Sequence, residues 1–175
     1  MKRSLFSATI LLLIILFTCC KKGDTGPQGP AGTANVIYSD WFTATAYVKD
    51  TVFGIWGFNY NKTVPEITQQ ILDSGSVFTF GKLVGYSTLL WPSNQVGQLP
   101  INLTYVSSGI TMTDTWSGLA TPGKLRIRFV NDKNYWTGIA NNHQFRYIII
   151  PGGKKGARQA KLSYEEICAM YNIPQ

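Results

Sequence analysis

The residues best suited to recognising a ligand lie in one polar segment, Asp132-Lys133-Asn134-Tyr135-Trp136. Indole and phenol rings have apolar faces and hydrogen-bonding rims, which suits the apolar CH face of a sugar ring. A carboxylate and an amide stand beside them as hydrogen-bonding partners. The segment therefore predicts a glycan site built from Trp136, Tyr135, Asn134 and Asp132. The alternative is that these rings fill the core, as we expect of most of the five tryptophans and nine tyrosines.

A second candidate is the basic loop from Lys154 to Lys161, which contains three lysines and Arg158. It could contact anionic head groups or polysaccharide, or serve only as a solvated connector. The formal net charge of +7, or +5 without Lys2 and Arg3, suits a partner carrying phosphate or carboxylate groups, but it also suits plain solubility.

Catalytic residue patterns are weak in this sequence. The one histidine, His143, lies in the turn-like Asn141-Asn142-His143-Gln144 without a recognisable nucleophile, so we expect a polar surface side chain. A zinc site needs about four His or Cys ligands, and the sequence shows no such set of ligands. Two acids could still converge across strands as a glycosidase requires; they are scattered singly, at Asp40, Asp50, Glu66, Asp73, Asp114 and Asp132. We therefore expect no enzyme activity, no cofactor and no metal.

Alternating apolar and polar residues predict the strands that would position these side chains. In Lys124 to Phe129 the apolar residues Leu125, Ile127 and Phe129 share one face. Further candidates cover 36–48, 52–60, 76–80, 84–90, 101–105, 109–113 and 145–150, separated by turn signals such as Lys49-Asp50. About eight short strands without long helices between them favour a mainly β fold, an antiparallel β-sandwich.

Two helices are predicted to interrupt the strands. The first covers 65–74, with Pro65 in its first turn and Gly75 as its stop. The second begins at the capping box Ser163-Tyr164-Glu165-Glu166 near the C-terminus. Its apolar stripe should pack on one edge of the sandwich; the stripe consists of Tyr164, Ile167, Cys168 and Tyr171. Cys168 is expected to be a buried thiol, although a bridge to Cys20 is conceivable.

The N-terminal segment has the parts of an export signal: Lys2 and Arg3, an apolar run over 10–17, and then cysteines. The run is shorter than the 20 or so residues of a transmembrane helix. Leu16-Phe17-Thr18-Cys19 resembles a bacterial lipobox, which predicts a signal peptide over 1–18 and a lipidated Cys19, with Cys20 as the fallback. An ordinary secretory signal is the alternative. An exported protein is not expected to bind nucleic acid.

Glycine then recurs every third residue, at Gly23, Gly26, Gly29 and Gly32. This is the collagen pattern, because only glycine fits the axis of a triple helix. Four triplets with two prolines favour an extended spacer of about 37 Å, at about 3.1 Å per residue, over a trimerising stem. A homotrimer remains the alternative.

The run from Cys20 through these triplets to Val36 resembles a group of Gram-negative bacterial lipoproteins with a short collagen-like repeat. The likeness extends to the segments 67–80 and 145–151. It implies a protein anchored to the outer membrane, on either face, and transfers no catalytic residues. We therefore predict residues 19–34 as lipidated cysteine and spacer and residues 35–175 as the sandwich. The expected role is non-catalytic binding or adhesion with a glycan or protein partner; a trimeric interaction protein is the alternative and an envelope hydrolase the less favoured one.

Overall fold

Two antiparallel sheets packed face to face make up the domain in the computed structural model, which describes residues 36–152 and 163–175. The predicted signal peptide and spacer, over 1–34, and the basic loop Lys154 to Lys161 lie outside these residues. In chain order the strands are β1 (Ile37–Tyr38), β2 (Phe42–Thr43), β3 (Val48–Val52), β4 (Ile55–Thr63), β5 (Ser76–Lys82), β6 (Gly97–Gln98), β7 (Ile101–Ser107), β8 (Ile110–Thr121), β9 (Lys124–Asn131) and β10 (Gln144–Ile150). The predicted β-sandwich is confirmed.

The first sheet has the order β1-β10-β5-β6, with β2 also paired to β10, and the second has the order β3-β4-β9-β8-β7. The main core lies between them and is formed by residues from the inward faces. In β9 the alternation acts as predicted, since Leu125, Ile127 and Phe129 are buried whereas Lys124 and Arg126 are exposed. The period of two in the sequence thus sets which side chains enter the core.

Two strand predictions and one turn prediction need correction. The predicted strand 36–48 is divided among β1, β2 and the start of β3, because the chain crosses from the first sheet to the second. The predicted strand 84–90 is a loop, in which Gly85 has a φ of +85°. The predicted turn at Lys49-Asp50 lies within β3. The chain reverses instead at Phe53 and Gly54, whose φ values of 49° and 83° suit a tight hairpin.

The two helices are α1 (Gln69–Ser74) and α2 (Tyr164–Tyr171). α1 starts later than predicted, because Thr68 is its N-cap and accepts a hydrogen bond from the Ile71 amide at 3.2 Å. The residues before it form turns that bury Ile67. Neither helix of the described residues is long and apolar enough to span a bilayer.

The capping box of α2 is present as predicted, with Ser163 and Glu166 bonded reciprocally. The helix covers the outer face of the first sheet rather than an edge of the sandwich, and its side chains pack with Phe80, Ile148 and Ile150. Cys168 is a buried free thiol on this face, which confirms that prediction.

Arg146, only 3% exposed, ties this C-terminal segment to the first sheet. Its guanidinium donates to the Ser39 carbonyl at 2.9 Å, to the Tyr164 hydroxyl at 3.1 Å and to the Pro174 carbonyl at 2.6 Å. A buried cation is costly unless its donors are satisfied. Arg146 therefore joins β10, the chain after β1 and the residues around α2.

The two ends of the sandwich differ. At one end, β5 and β9 finish and β8 and β10 begin. The connection after β5, residues 83–96, and the connection after β9, residues 132–143, therefore meet at this end. β1 pairs with the other end of β10, with Ile37 opposite Ile149. The two connections at the first end contribute to the wall of a cavity.

Candidate binding cavity

A cavity of about 520 Å³ lies where these connections meet the ends of the strands. This size is within the range of small-molecule sites, which is roughly 300–1,000 Å³. Most of its wall is aromatic or aliphatic, with few polar groups. The lining includes Val84, Tyr86, Leu90, Tyr105, Asp114, Trp116, Trp136, Ile139 and His143.

Asp114, on β8, is completely buried beside this cavity and is surrounded by hydrogen-bond donors. One carboxylate oxygen accepts from the hydroxyls of Tyr86 at 2.9 Å and Tyr105 at 3.0 Å. The other accepts from the Asn131 amide at 2.7 Å and the Trp136 indole at 3.1 Å. Within residues 36–152 and 163–175 no Lys or Arg forms an ion pair with it. These four bonds stabilise the buried group in place of a cation.

The bonds continue outward into a second layer. The Trp116 indole donates to the Tyr86 hydroxyl at 3.0 Å, and the Trp136 indole also contacts the Tyr105 hydroxyl at 3.2 Å. Burial raises the pKa of Tyr105 to about 12, and it raises the pKa of Tyr86 further. Both phenols therefore stay protonated at neutral pH and act as donors to Asp114. The network holds four aromatic rings in fixed positions around the cavity.

His143 is not the exposed polar side chain that its sequence context predicts. It is 5% exposed, and its ring packs edge-on against Trp116 with 4.5 Å between the ring centroids. Its Nδ1 accepts a hydrogen bond from the Val84 amide at 3.2 Å. The prediction was wrong because the connection 132–143 folds back over Trp116, a long-range contact that a local sequence pattern does not reveal.

Burial also sets the protonation of this histidine. It lowers the pKa of the His143 imidazole to about 4, so the ring is neutral at physiological pH. Since Nδ1 accepts the Val84 hydrogen bond, the neutral ring carries its proton on Nε2. No acceptor for Nε2 is found among the residues that the structure describes. The cavity wall thus contains a neutral N–H donor that is free to bond to a ligand.

Of the predicted site residues, Trp136 and Tyr135 lie next to each other and are partly exposed. They are 37% and 42% exposed, and their rings meet at right angles with 5.0 Å between centroids. Trp136 also lines the cavity itself. The aromatic part of the predicted segment is therefore accessible.

Asn134 and Asp132 are instead bonded to the backbone of neighbouring strands. Asn134, with a φ of 54°, accepts from the Trp56 amide at 2.7 Å and donates to the Gly54 carbonyl at 2.8 Å. Asp132 accepts from the Thr113 amide at 2.8 Å, which lowers the pKa of its carboxyl group. In these positions they support the segment that carries Tyr135 and Trp136.

Sequence reasoning missed Asp114, Tyr86, Tyr105 and Trp116 as members of one site. One signal was present, because Met112, Asp114 and Trp116 alternate along β8 and so share its inward face. A carboxylate in an inward register needs buried donors. Which side chains supply them depends on the other strands and on the loop after β5.

Two observations bear on the chemistry of the cavity. Asp114 is the one acidic side chain among the described residues that line it. Across residues 36–152 and 163–175, no group of three or more His, Cys, Asp or Glu side chains is placed to hold a metal ion. The arrangement can exclude water, stack rings against a ligand and offer it a hydrogen-bond donor.

The functional interpretation depends on this geometry, because neither protein-family models, nor curated proteins, nor solved structures match the chain.

Proposed function

We propose that this protein is a non-catalytic lipoprotein of the cell envelope whose β-sandwich binds a glycan in the aromatic cavity. The observation that carries the proposal is the set of rings held around Asp114, which includes Trp136, with Tyr135 packed against Trp136. A sugar ring has an apolar CH face that stacks on such rings and a polar edge that hydrogen-bonds to their surroundings. Preorganised aromatic side chains also lose little conformational entropy on binding.

Binding is favoured over hydrolysis by the state of the acids. A glycosidase uses two carboxyl groups about 5–10 Å apart, one of which reaches the glycosidic oxygen. Asp114 already accepts four hydrogen bonds and is inaccessible to solvent. It is better suited to holding the cavity walls than to transferring a proton.

The envelope location is proposed from the lipobox-like segment before Cys19 and the glycine triplets after it. The domain's topology is compatible with such an anchor. The chain enters the sandwich at β1, which pairs near Ile149, whereas the cavity lies at the end of β10 that begins with Gln144. A tether preceding β1 therefore joins the domain at the end away from the cavity.

The test of glycan binding is a panel of bacterial and host polysaccharides with the wild-type protein and a Tyr135→Ala, Trp136→Ala double variant. We expect a saturable hit that the double variant loses while it stays folded, although its thermal unfolding midpoint should fall because Asp114 loses the Trp136 donor. Tyr38→Ala is the matched control, because Tyr38 is 41% exposed and lies on β1 at the opposite end. Binding that survives in the double variant would refute this site.

The test of lipidation is metabolic labelling with a tagged fatty acid in a Gram-negative host. Cys19→Ala should abolish labelling and Cys20→Ala should not. The reverse result would identify Cys20 as the modified residue. A wild-type protein that takes up no label would indicate plain secretion.

A trimeric interaction protein is the second candidate, on the strength of the four triplets. Sedimentation of the unlipidated chain with and without residues 21–34 decides it. A trimer that becomes a monomer on deletion would support this candidate, and a monomer in both cases would exclude it.

A further inference from the structure

We propose that the cavity recognises an N-acetylated sugar, whose acetamido carbonyl oxygen accepts a hydrogen bond from Nε2 of His143. This inference rests on the proposed glycan binding and narrows the class of sugar. His143 is largely buried, lines the cavity and has an N–H donor without a partner among the described residues.

The donor is defined by the geometry around His143. The Val84 amide bonds to Nδ1 at 3.2 Å, and Trp116 packs against the ring, so the imidazole is held in one orientation and one tautomer. Nε2 is not among the fully buried unpaired nitrogen and oxygen atoms of the described residues, and His143 lines the cavity, so this N–H is open to it. A ligand that covers the ring must supply an acceptor to Nε2 or leave that N–H unpaired.

Besides Ser87, the other polar side chains of the wall are already engaged with one another. The Tyr86 and Tyr105 hydroxyls each donate to Asp114 and each also lie within hydrogen-bonding distance of an indole N–H, from Trp116 and Trp136 respectively. The oxygens of Asp114 are likewise occupied and buried. The cavity therefore presents a free donor beside acceptors that are already in use.

This imbalance favours an amide carbonyl over a hydroxyl or an ammonium group. A carbonyl only accepts, so it satisfies Nε2 and brings no unpaired proton into the cavity. A hydroxyl adds an O–H, and an ammonium adds three N–H donors, for which Tyr86, Tyr105 and Asp114 have no free acceptor. The acetamido methyl group suits the aliphatic part of the same wall, which includes Val84, Leu90 and Ile139.

The negative charge of Asp114 also selects among ligands. Asp114 is a buried carboxylate without a cationic partner among the described residues, and its field extends through a medium of low dielectric constant. An anionic ligand group would be repelled. The favoured ligand is thus a neutral N-acetyl sugar rather than an acidic one.

The test compares N-acetylglucosamine, glucosamine and glucose as ligands of the purified full-length protein by titration calorimetry and saturation-transfer NMR. We expect N-acetylglucosamine to bind about tenfold or more tightly than glucose, the difference that one hydrogen bond to a buried donor supplies. Because the chain has one histidine, ring ¹⁵N labelling reports on His143 alone. Its Nε2 resonance should shift with N-acetylglucosamine and not with glucose.

Two variants of His143 distinguish the effect of its N–H donor on binding from the effect of its ring shape. His143→Phe keeps a planar ring without an N–H, and its preference for the acetyl group should disappear. His143→Gln can place an amide N–H near the position of Nε2 and should retain most of the preference. Both variants lose Nδ1 as the acceptor of the Val84 amide, and since only glutamine carries a carbonyl that can replace it, the stability of each variant is measured beside its binding.

The outcomes distinguish the two proposals. Equal binding of the three sugars, or a preference for glucosamine or glucose, would overturn the acetamido inference and leave glycan binding intact. Absence of binding by any sugar or polysaccharide to the folded wild-type protein would overturn both.

Discussion

The stability of the fold should fall as the pH is lowered from 7.5 to 5, because of His143. Burial holds its pKa at about 4 in the folded protein, against an ordinary value of 6.5. As the pH falls through 6.5 the unfolded chain takes up a proton that the folded one does not, so the free energy of unfolding decreases. The difference between the folded and unfolded pKa values corresponds to about 3 kcal/mol of unfolding free energy. About 2 kcal/mol of this is lost by pH 5.

This pH window isolates the histidine from the acids. The pKa of Asp50 is lowered, chiefly by its hydrogen bond to Arg128, and the pKa of Asp132 is lowered by the Thr113 amide. Groups with depressed folded-state pKa values stabilise the fold above their ordinary value of about 4 and lose that contribution only below it. Between pH 5 and 7.5 the slope therefore reports on His143, the one histidine of the chain.

The assay is urea unfolding at several pH values across the window, followed by tryptophan fluorescence, with an NMR titration of the ring. His143→Phe and His143→Gln should flatten the profile. Both should start from a lower stability, because the Val84 amide loses its acceptor. A wild-type change below about 1 kcal/mol, comparable to the error of the extrapolation, or a slope that persists in both variants, would refute the reasoning.

Three further substitutions test the parts that shape the cavity and the fold, each by urea unfolding. Asp114→Ala removes the buried acceptor of four hydrogen bonds and should cost about 3–5 kcal/mol. Asp73→Ala at an exposed site should cost less than about 1 kcal/mol, and equal costs would contradict the network. Arg146→Met should cost about 2–4 kcal/mol and speed hydrogen exchange in α2, because it removes three hydrogen bonds; unchanged exchange would argue against that link. Asn134→Gly tolerates the positive φ and should cost about 1–2 kcal/mol of stability for the two lost hydrogen bonds. Asn134→Ala should cost about 1 kcal/mol more, because alanine is strained at this φ. Identical losses would show that backbone strain contributes nothing.

Local patterns were sufficient for much of the architecture. The alternation in Lys124 to Phe129 predicted the buried face of β9, and Ser163 with Glu166 predicted the start of α2. Both follow from interactions between residues only a few positions apart, which the sequence displays directly. The leader, the lipidated Cys19 and the glycine triplets are predictions of the same kind, and they await the labelling and sedimentation experiments.

The predictions that failed depended on partners distant in the chain. The segment 84–90 has the residue types of a strand, yet it forms a loop in which Tyr86 reaches Asp114, 28 positions away. His143 looks exposed in its polar turn but packs on Trp116. Neither residue's immediate neighbours carry a signal of these contacts.

The sequence by itself thus determined which residues alternate into strands, where the second helix is capped, and which aromatic segment deserves attention as a ligand site. Only the tertiary structure decided that Asp114 is enclosed by four donors, that Asn134 and Asp132 bond to neighbouring strands, and that His143 offers a neutral N–H to a cavity. The physical reason is range: side-chain periodicity acts over a few residues, whereas burial and hydrogen bonding depend on which strands and loops meet when two sheets pack.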